Sequence, residues 1–355
     1  MTGLSIGSHT LDFNPQLRPS ALMNRNIKIA AESPAASTML IFQAVFPFLL
    51  FAGNDKGEPI TLEISGGTNV SFSLSFEYLD QVLLPTLKEA FGIAVESKLL
   101  ARGWSLGRQQ RGKVQFKFKP LKLGDTLKFT QQDGAVYGGD GPLPVVEDVE
   151  AIDISMIIPA AMHDAMTEAL VEDLQQLFPD VDPNFKIIED SGDNSKIYVL
   201  LVATAGTVRW GRDALLSMPK AAKAKASKGG VQTAGSLCAT VSRKLCKELY
   251  EEVSMGGAVD EFLQDQLVVF QALAEGRTSF PRGEAKDGLE QAMGKLGVGE
   301  AKMRKEKTDK PFGDGSTHTT TARWVTAELL PAVGWFNKGN VCEGVGMHME
   351  VAAKK

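Results

Sequence analysis

The stretch GGAVDEFLQDQLVVFQALAEG, residues 256–276, places a glycine turn directly before an amphipathic segment. Its apolar residues recur at helical spacing, which predicts a helix over 260–274 with one side against a core. That stripe consists of Leu263, Leu267 and Phe270. A helix of this kind, combined with the strand-like segments elsewhere in the chain, predicts a mixed α/β protein.

The neighbouring face of the same helix carries three residues of a different character. Phe262, Asp265 and Gln266 lie three and four residues apart, so they share that face. An aromatic ring can stack on a nucleobase, while an acid and an amide can hydrogen-bond its edge or its ribose. The alternative is an ordinary solvated helix face.

The whole chain has the composition of a folded protein. Its 355 residues are 43% hydrophobic and 23% charged, with a formal net charge of -5. These values exclude a fully disordered or collagen-like chain and disfavour a strongly basic protein that coats nucleic acid. The three cysteines are too few and too scattered for a disulfide scaffold, which favours a reducing, intracellular compartment.

Strands and helices are predicted along the first part of the chain from the period of its apolar residues. We expect strands over 4–13, 60–65, 93–100 and 114–118, and helices over 38–51 and 76–91. Pro85 should kink the second helix, and Gly92 should end it. The apolar segment at 39–52 is too short for a membrane span, and no membrane partner is expected.

A region rich in Gly, Asp and Pro at 125–150 separates a second α/β unit from the first. In that unit we expect a strand over 152–158, a helix over 160–178 and a buried strand over 197–203. Helices over 233–253 and 317–330 follow. The charged segment 280–315 lacks a core pattern and is predicted to be a surface loop or partly disordered.

Two further segments carry residues that could do chemistry. The turn SGGTN at 65–69 contains residues that tolerate positive φ, and its glycines would let the backbone approach a ligand; the alternative is an ordinary turn. His318 lies among hydroxyl residues in GSTHTTTARW and could be a nucleophile or general base; the alternative is a surface histidine.

These segments, taken in order, resemble the RNA 3'-terminal phosphate cyclases, most closely their eukaryotic members. The resemblance is carried by IGSHTLDF, EISGGTNVS, FEYLDQVLLPTLKEAFGI, GGAVDEFLQDQ, THTTTA and CEGVGM. It implies repeated units of two helices on a four-stranded sheet, with a smaller α/β domain inserted. The implied boundaries are 1–148 for a remnant of the first repeat plus the second, 149–232 for the insert, and 233–355 for the final repeat.

The resemblance also implies a reaction and its residues. Family members use ATP and Mg²⁺ or Mn²⁺ to convert an RNA 3'-phosphate end to a 2',3'-cyclic phosphate through a histidine-AMP intermediate. The nucleophile falls on His318, and the nucleotide-binding residues fall on Gln43, Phe262, Asp265 and Gln266. The metal ligands stay unknown, as does the oligomeric state, and a nuclear or cytoplasmic location is expected.

The chain departs from the family pattern in ways that leave a second function open. The family's opening strand, turn and helix are absent, the glycine run expected within 103–112 is lost, and Leu74 stands where proline is usual. The chain is therefore either an N-terminally truncated cyclase or an impaired paralogue that binds RNA or assists ribosome assembly. An enolpyruvyl transferase shares the architecture but has no residue-level support.

An RNA partner would require a basic groove, and two clusters of cations are available for one. Each cluster has a solvated charged face as its alternative. The first consists of Arg102, Arg108, Arg111, Lys113, Lys117 and Lys119, and the second of Lys220, Lys223, Lys225 and Lys228.

Overall fold

A computed structural model describes residues 9–10, 12–130, 146–218, 233–282, 312–313 and 315–349. Its first sheet has the order β1-β2-β4-β3, with β1 parallel to β2 and the other pairs antiparallel. The strands are β1 (Asn26–Ala30), β2 (Ile60–Gly66), β3 (Val95–Ala101) and β4 (Gly112–Phe118).

One face of this sheet is covered by the helices that connect its strands. They are α1 (Thr38–Leu50), α2 (Phe76–Tyr78) and α3 (Leu84–Phe91). The Phe42 ring packs at a tilt against Phe116 on β4, with 4.4 Å between the ring centroids, and Phe46 meets Phe118 edge-on at 4.9 Å. Among the described residues the elements follow the predicted order, with the strand that precedes α1 at Asn26–Ala30 and not within 4–13.

A π-helical segment, Leu79–Leu83, joins α2 to α3 directly before Pro85. Proline has no N–H to continue an i→i−4 ladder, and π segments are a known way to absorb that interruption. Gly92 ends α3 in the left-handed conformation at φ 66°. The predicted helix end at Gly92 is confirmed, whereas the kink at Pro85 stays a prediction beside the observed π-helical segment.

The second sheet has the order β6-β5-β7-β8, in which only the β5–β6 pair is parallel. Its strands are β5 (Ala151–Ile158), β6 (Pro183–Asp190), β7 (Ile197–Ala205) and β8 (Val208–Leu216), and it packs against α4 (His163–Leu177) and α5 (Ala234–Met255). All residues of β7 except Thr204 are buried, as its apolar run predicts.

The third group of elements contains the segment 256–276, with its glycine turn and amphipathic helix. Helices α6 (Glu261–Leu273) and α7 (Thr317–Leu329) pack together, and a small antiparallel sheet has the order β10-β11-β9. Its strands are β9 (Glu275–Ser279), β10 (Gly334–Phe336) and β11 (Val341–Val345). Leu263 and Leu267 are fully buried and Phe270 is 5% exposed, so the predicted core stripe is confirmed. The fold class is mixed α/β, as predicted.

The predictions for 4–13 and for 280–315 lie partly outside the described residues and need correction where the structure does describe them. The described part of 4–13 contains no strand element, and residues 283–311 of the charged segment are not described. Phe280, however, is a core residue with its ring centroid 5.9 Å from that of Phe91.

No helix in the described ranges has the length and apolar character needed to span a bilayer. The boundaries at 148/149 and 232/233 stay predictions.

The SGGTN turn uses its glycines for contact within the protein. None of residues 65–69 has positive φ. A Cβ on Gly66 would lie 2.5 Å from the carbonyl oxygen of Ala36, and one on Gly67 would lie 2.2 Å from a methyl carbon of Val70. The glycines therefore let β2 meet the start of α1, and the close approach is to this chain's own backbone and side chains.

Candidate nucleotide-sized cavity

Four helices, a turn and a strand enclose a cavity of about 620 Å³. This volume lies within the range of small-molecule sites. The cavity is lined by Leu40, Gln43, Phe72, Ser73, Leu74, Tyr78, Asp213, Glu261, Phe262, Asp265, Gln266, Gly315, Ser316, Thr317 and His318. All five site residues expected from the resemblance lie on it.

Asp260 holds the start of α6 in position on this cavity. Its carboxylate accepts hydrogen bonds from the backbone N–H groups of Phe262 and Leu263, at 2.8 and 2.9 Å. It also accepts from the Tyr78 hydroxyl at 2.6 Å and from the backbone N–H of Gly211 at 2.7 Å. One fully buried acid thus caps α6 and ties it to α2 and to β8.

The ring of Phe262 is supported by the second sheet. The Arg212 guanidinium carbon lies 4.9 Å from its centroid, and the Tyr78 ring meets it edge-on at 6.3 Å. Phe262 is still 37% exposed. The supported ring is thus available from the cavity for stacking against a flat ligand.

Gln43, Gln266 and Asp265 form a hydrogen-bonded chain along one wall. The Gln43 amide nitrogen donates to the Gln266 side-chain oxygen, and the Gln266 amide nitrogen donates to Asp265. Gln43 belongs to α1 and Gln266 to α6, so the chain joins helices that are distant in sequence. It fixes the orientation of both amides.

His318 completes the wall at the start of α7. Ser316 caps this helix by accepting from the Thr319 N–H at 3.1 Å, so the imidazole belongs to the first turn. His318 Nδ1 lies 3.6 Å from Asp265 Oδ2, while its side chain is 86% exposed. The distance is an electrostatic contact, and the exposed Nε2 can reach a ligand.

Burial shifts the acidity of two carboxyl groups on the cavity. It raises the pKa of Asp265 to about 6, although the bond from Gln266 and the charge of His318 act in the opposite direction. Burial also raises the pKa of Asp213 to about 6, against the hydrogen bond from Tyr198 and the charge of Arg212. Such shifted groups inside a cavity are typical of functional sites.

Sequence reasoning missed several cavity residues, above all Asp213. It lies on β8, a strand that the apolar pattern did not reveal because polar residues interrupt it. The available signal was the charged pair Arg212 and Asp213 in the middle of a segment that is otherwise largely apolar. Leu74, noted in the sequence as a departure, does line the cavity.

The structure contradicts the first predicted basic groove at Arg102. Arg102 donates to Glu189 at 2.7 Å and pairs with the buried Glu77, so its charge is neutralised inside the protein. Arg111 is bound to the Ala31 carbonyl oxygen at 2.6 Å. Arg108, Lys117 and Lys119 are exposed, and the second cluster, 220–228, lies outside the described residues.

The described residues contain no group of three or more His, Cys, Asp or Glu side chains that could hold a metal ion. A zinc site made by protein alone needs about three such ligands, whereas Mg²⁺ is usually held by one or two carboxylates together with the phosphates of a substrate.

These features define an α/β protein in which a helix-terminal histidine contacts an acid on the wall of a cavity of small-molecule size. A family model described as RNA 3'-terminal phosphate cyclase matches residues 1–332. The chain belongs to the RNA 3'-terminal phosphate cyclase family, which is a family of enzymes.

Individual relatives agree with this assignment. The RNA 3'-terminal phosphate cyclase of Drosophila melanogaster is 28% identical over 285 residues, which cover 79% of this chain and 69% of that protein. The enzyme of the same name from Pyrococcus abyssi is 28% identical over 274 residues, covering 77% and 68%. That of Methanosarcina mazei is 28% identical over 287 residues, covering 79% and 72%.

Proposed function

We propose that this chain is an RNA 3'-phosphate cyclase that uses ATP and works through AMP bound covalently to His318. Membership of the family supports the cyclase activity. The use of ATP and the covalent attachment of AMP to His318 are supported by one observation. His318 Nδ1 lies 3.6 Å from Asp265 Oδ2 on a cavity that Phe262 and Gln43 also line.

In the first step, His318 acts as the nucleophile through Nε2. Asp265 attracts the proton on Nδ1, so the lone pair of Nε2 is free to attack the α-phosphorus of ATP. A bond forms between nitrogen and phosphorus, and pyrophosphate leaves. Phe262 and the hydrogen-bonded chain of Gln43 and Gln266 would hold the adenosine, and the first turn of α7 offers N–H groups to the phosphate.

In the second step, an oxygen of the RNA 3'-phosphate attacks the AMP phosphorus and releases His318. The 2'-hydroxyl of the terminal ribose then attacks the activated 3'-phosphorus, loses its proton, and expels AMP. This cyclisation is favoured because the hydroxyl is already adjacent on the same ribose. A requirement for Mg²⁺ or Mn²⁺ and a nuclear or cytoplasmic location stay predictions, and we assign no step to a metal.

Labelling with α-³²P-ATP and Mg²⁺ tests the proposal. We expect acid-labile AMP on the wild type and at least a thousandfold less on His318→Ala, which should fold normally because its side chain is exposed. His348→Ala is the matched control, since His348 is also an exposed histidine and lies outside the cavity. Equal labelling of wild type and His318→Ala would reject the assignment.

RNA with a labelled 3'-phosphate provides the second readout. The cyclase should make the label resistant to phosphatase, and His318→Ala should not. A wild type that binds RNA but forms neither AMP adduct nor cyclic product would favour the alternative, a non-catalytic RNA-binding or assembly protein.

A further inference from the structure

Asp213 is a positioned hydrogen-bond acceptor on the cavity. The Tyr198 hydroxyl donates to its Oδ2 at 3.1 Å and lies 2.5 Å from the Ser75 hydroxyl. Tyr198 is 1% exposed and Ser75 caps α2, so both supports are fixed by the surrounding fold. Within the described residues Oδ1 accepts no hydrogen bond, although Asp213 lines the cavity.

The neighbours of Asp213 place it at the Phe262 end of the cavity. The preceding residue, Arg212, covers the Phe262 ring, and Gly211 is bonded to the cap of α6. Asp265, which contacts His318, lies three residues after Phe262 on α6, and this spacing is a rise of about 4.5 Å along the helix. The cavity therefore has a histidine end and an Asp213 end.

Each end carries a carboxylate, Asp265 at the histidine end and Asp213 at the other, but the two ends offer different partners to a nucleotide. The histidine end includes the first turn of α7, where helix N–H groups favour an anion. Tyr198 donates a hydrogen bond to Asp213, and the charges of Arg212, Glu77 and Asp260 act on its carboxyl group. Arg212 already pairs with Glu252, so this end is acidic and repels phosphate. A nucleotide would thus enter with its phosphates toward His318 and its base toward Asp213.

We propose that Asp213 accepts a hydrogen bond from the exocyclic amino group of adenine and so selects the base of the nucleotide. This inference rests on the proposed function, because it requires ATP in the cavity. An ionised carboxylate only accepts hydrogen bonds, so it pairs with the 6-amino group and repels the 6-oxo group of guanine or hypoxanthine. The raised pKa of about 6 still leaves Asp213 mostly ionised at pH 7.5.

Purine riboside 5'-triphosphate, which lacks the amino group, is the probe that isolates this contact. For labelling of His318, we expect wild-type kcat/KM to favour ATP over the probe by roughly 10- to 100-fold. Asp213→Ala should lower this ratio to about one, mainly by slowing the reaction with ATP. Asp213→Asn should keep part of the preference, because its amide oxygen still accepts a hydrogen bond.

Two outcomes would overturn the inference. An Asp213→Ala variant that keeps the wild-type ratio shows that another group reads the base. An equal loss with both nucleotides, in Asp213→Ala and Asp213→Asn alike, shows a structural role. If the wild type transfers a nucleoside monophosphate to His318 from neither nucleotide, the proposed function itself fails, and the inference fails with it.

Discussion

Two clusters of charged and polar groups in this molecule resemble each other in composition but differ in how completely they are paired. At the junction of the first two sheets, Arg102 contacts Glu77 and Glu189, and the Asn69 amide donates to Glu77 at 2.8 Å. On the cavity, His318 contacts Asp265 at 3.6 Å and is 86% exposed. The first cluster is satisfied within the protein, whereas the second leaves donors and acceptors for a ligand.

The degree of pairing within the protein distinguishes buried charges that stabilise the fold from those that can bind a ligand. A buried ion that has all its partners stabilises the arrangement of the elements that carry it. A partly buried ion that keeps hydrogen-bonding positions open toward a cavity is a candidate for contact with a ligand. The comparison predicts opposite consequences for removing a charge from each cluster.

The largest effect is expected at the junction. Arg102→Met would leave Glu77, which is 1% exposed, as an uncompensated buried charge. We expect a loss of about 3–5 kcal/mol in the free energy of unfolding, measured by urea denaturation. Glu189→Gln is the matched control and should cost much less, because Glu189 is 44% exposed.

The double variant Arg102→Met with Glu77→Gln sharpens this prediction. It should recover part of the lost stability, because the unpaired buried charge is gone. If Arg102→Met unfolds at the wild-type urea concentration, the junction cluster does not hold the two sheets together.

A smaller effect, on activity, is expected at Asp265. Asp265→Asn removes the charge that faces His318 but can keep an oxygen for the Gln266 amide, so the fold should be preserved. We expect AMP transfer to His318 to slow about 10- to 100-fold. Unchanged labelling would show that the acid does not orient the imidazole.

The pH dependence of Asp265→Asn gives an independent readout. Because burial raises the pKa of Asp265 to about 6, the wild type should lose this charge as pH falls through 6. The ratio of wild-type to variant rate should therefore be large at pH 7.5 and shrink toward pH 5. A ratio that stays constant between these pH values would contradict the role of the charge.

The smallest effect is expected in the stability of Asp213→Asn. The pKa of Asp213 is raised from 3.8 to about 6, so the folded state binds this proton more tightly than the unfolded state. The ionised group therefore costs stability above pH 6, and the variant should be more stable by about 1–2 kcal/mol at pH 7.5.

The sign of this prediction is checked by repeating the urea denaturation at lower pH. The gain should shrink as pH falls from 6 toward 4 and vanish below that, where both states are protonated. A variant less stable than the wild type at pH 7.5 would mean that the Tyr198 hydrogen bond to the carboxylate outweighs its burial.

Much of the first unit and of the helices could be predicted from sequence, because their signals are local. The period of apolar residues predicts α1, α3 and α6, and Gly92 ends α3 as expected. Strands β6, β8, β9, β10 and β11 were missed. The side chains of β6 alternate between intermediate and exposed positions, and polar residues interrupt β8. An edge strand with little burial carries a weak apolar pattern.

The sequence by itself determined which chemical groups are available: a histidine among hydroxyls, and an aromatic, an acid and an amide on one helix face. The resemblance to the family added Gln43 to these candidate site residues, but it did not add Asp213. Three other features depend on the folded structure. The Gln43 side chain donates a hydrogen bond to Gln266, which lies 223 residues later in the chain. Arg102 forms an ion pair within the protein, and Asp213 lines the cavity. Local patterns report which face of an element is apolar, whereas such meetings depend on how whole elements pack.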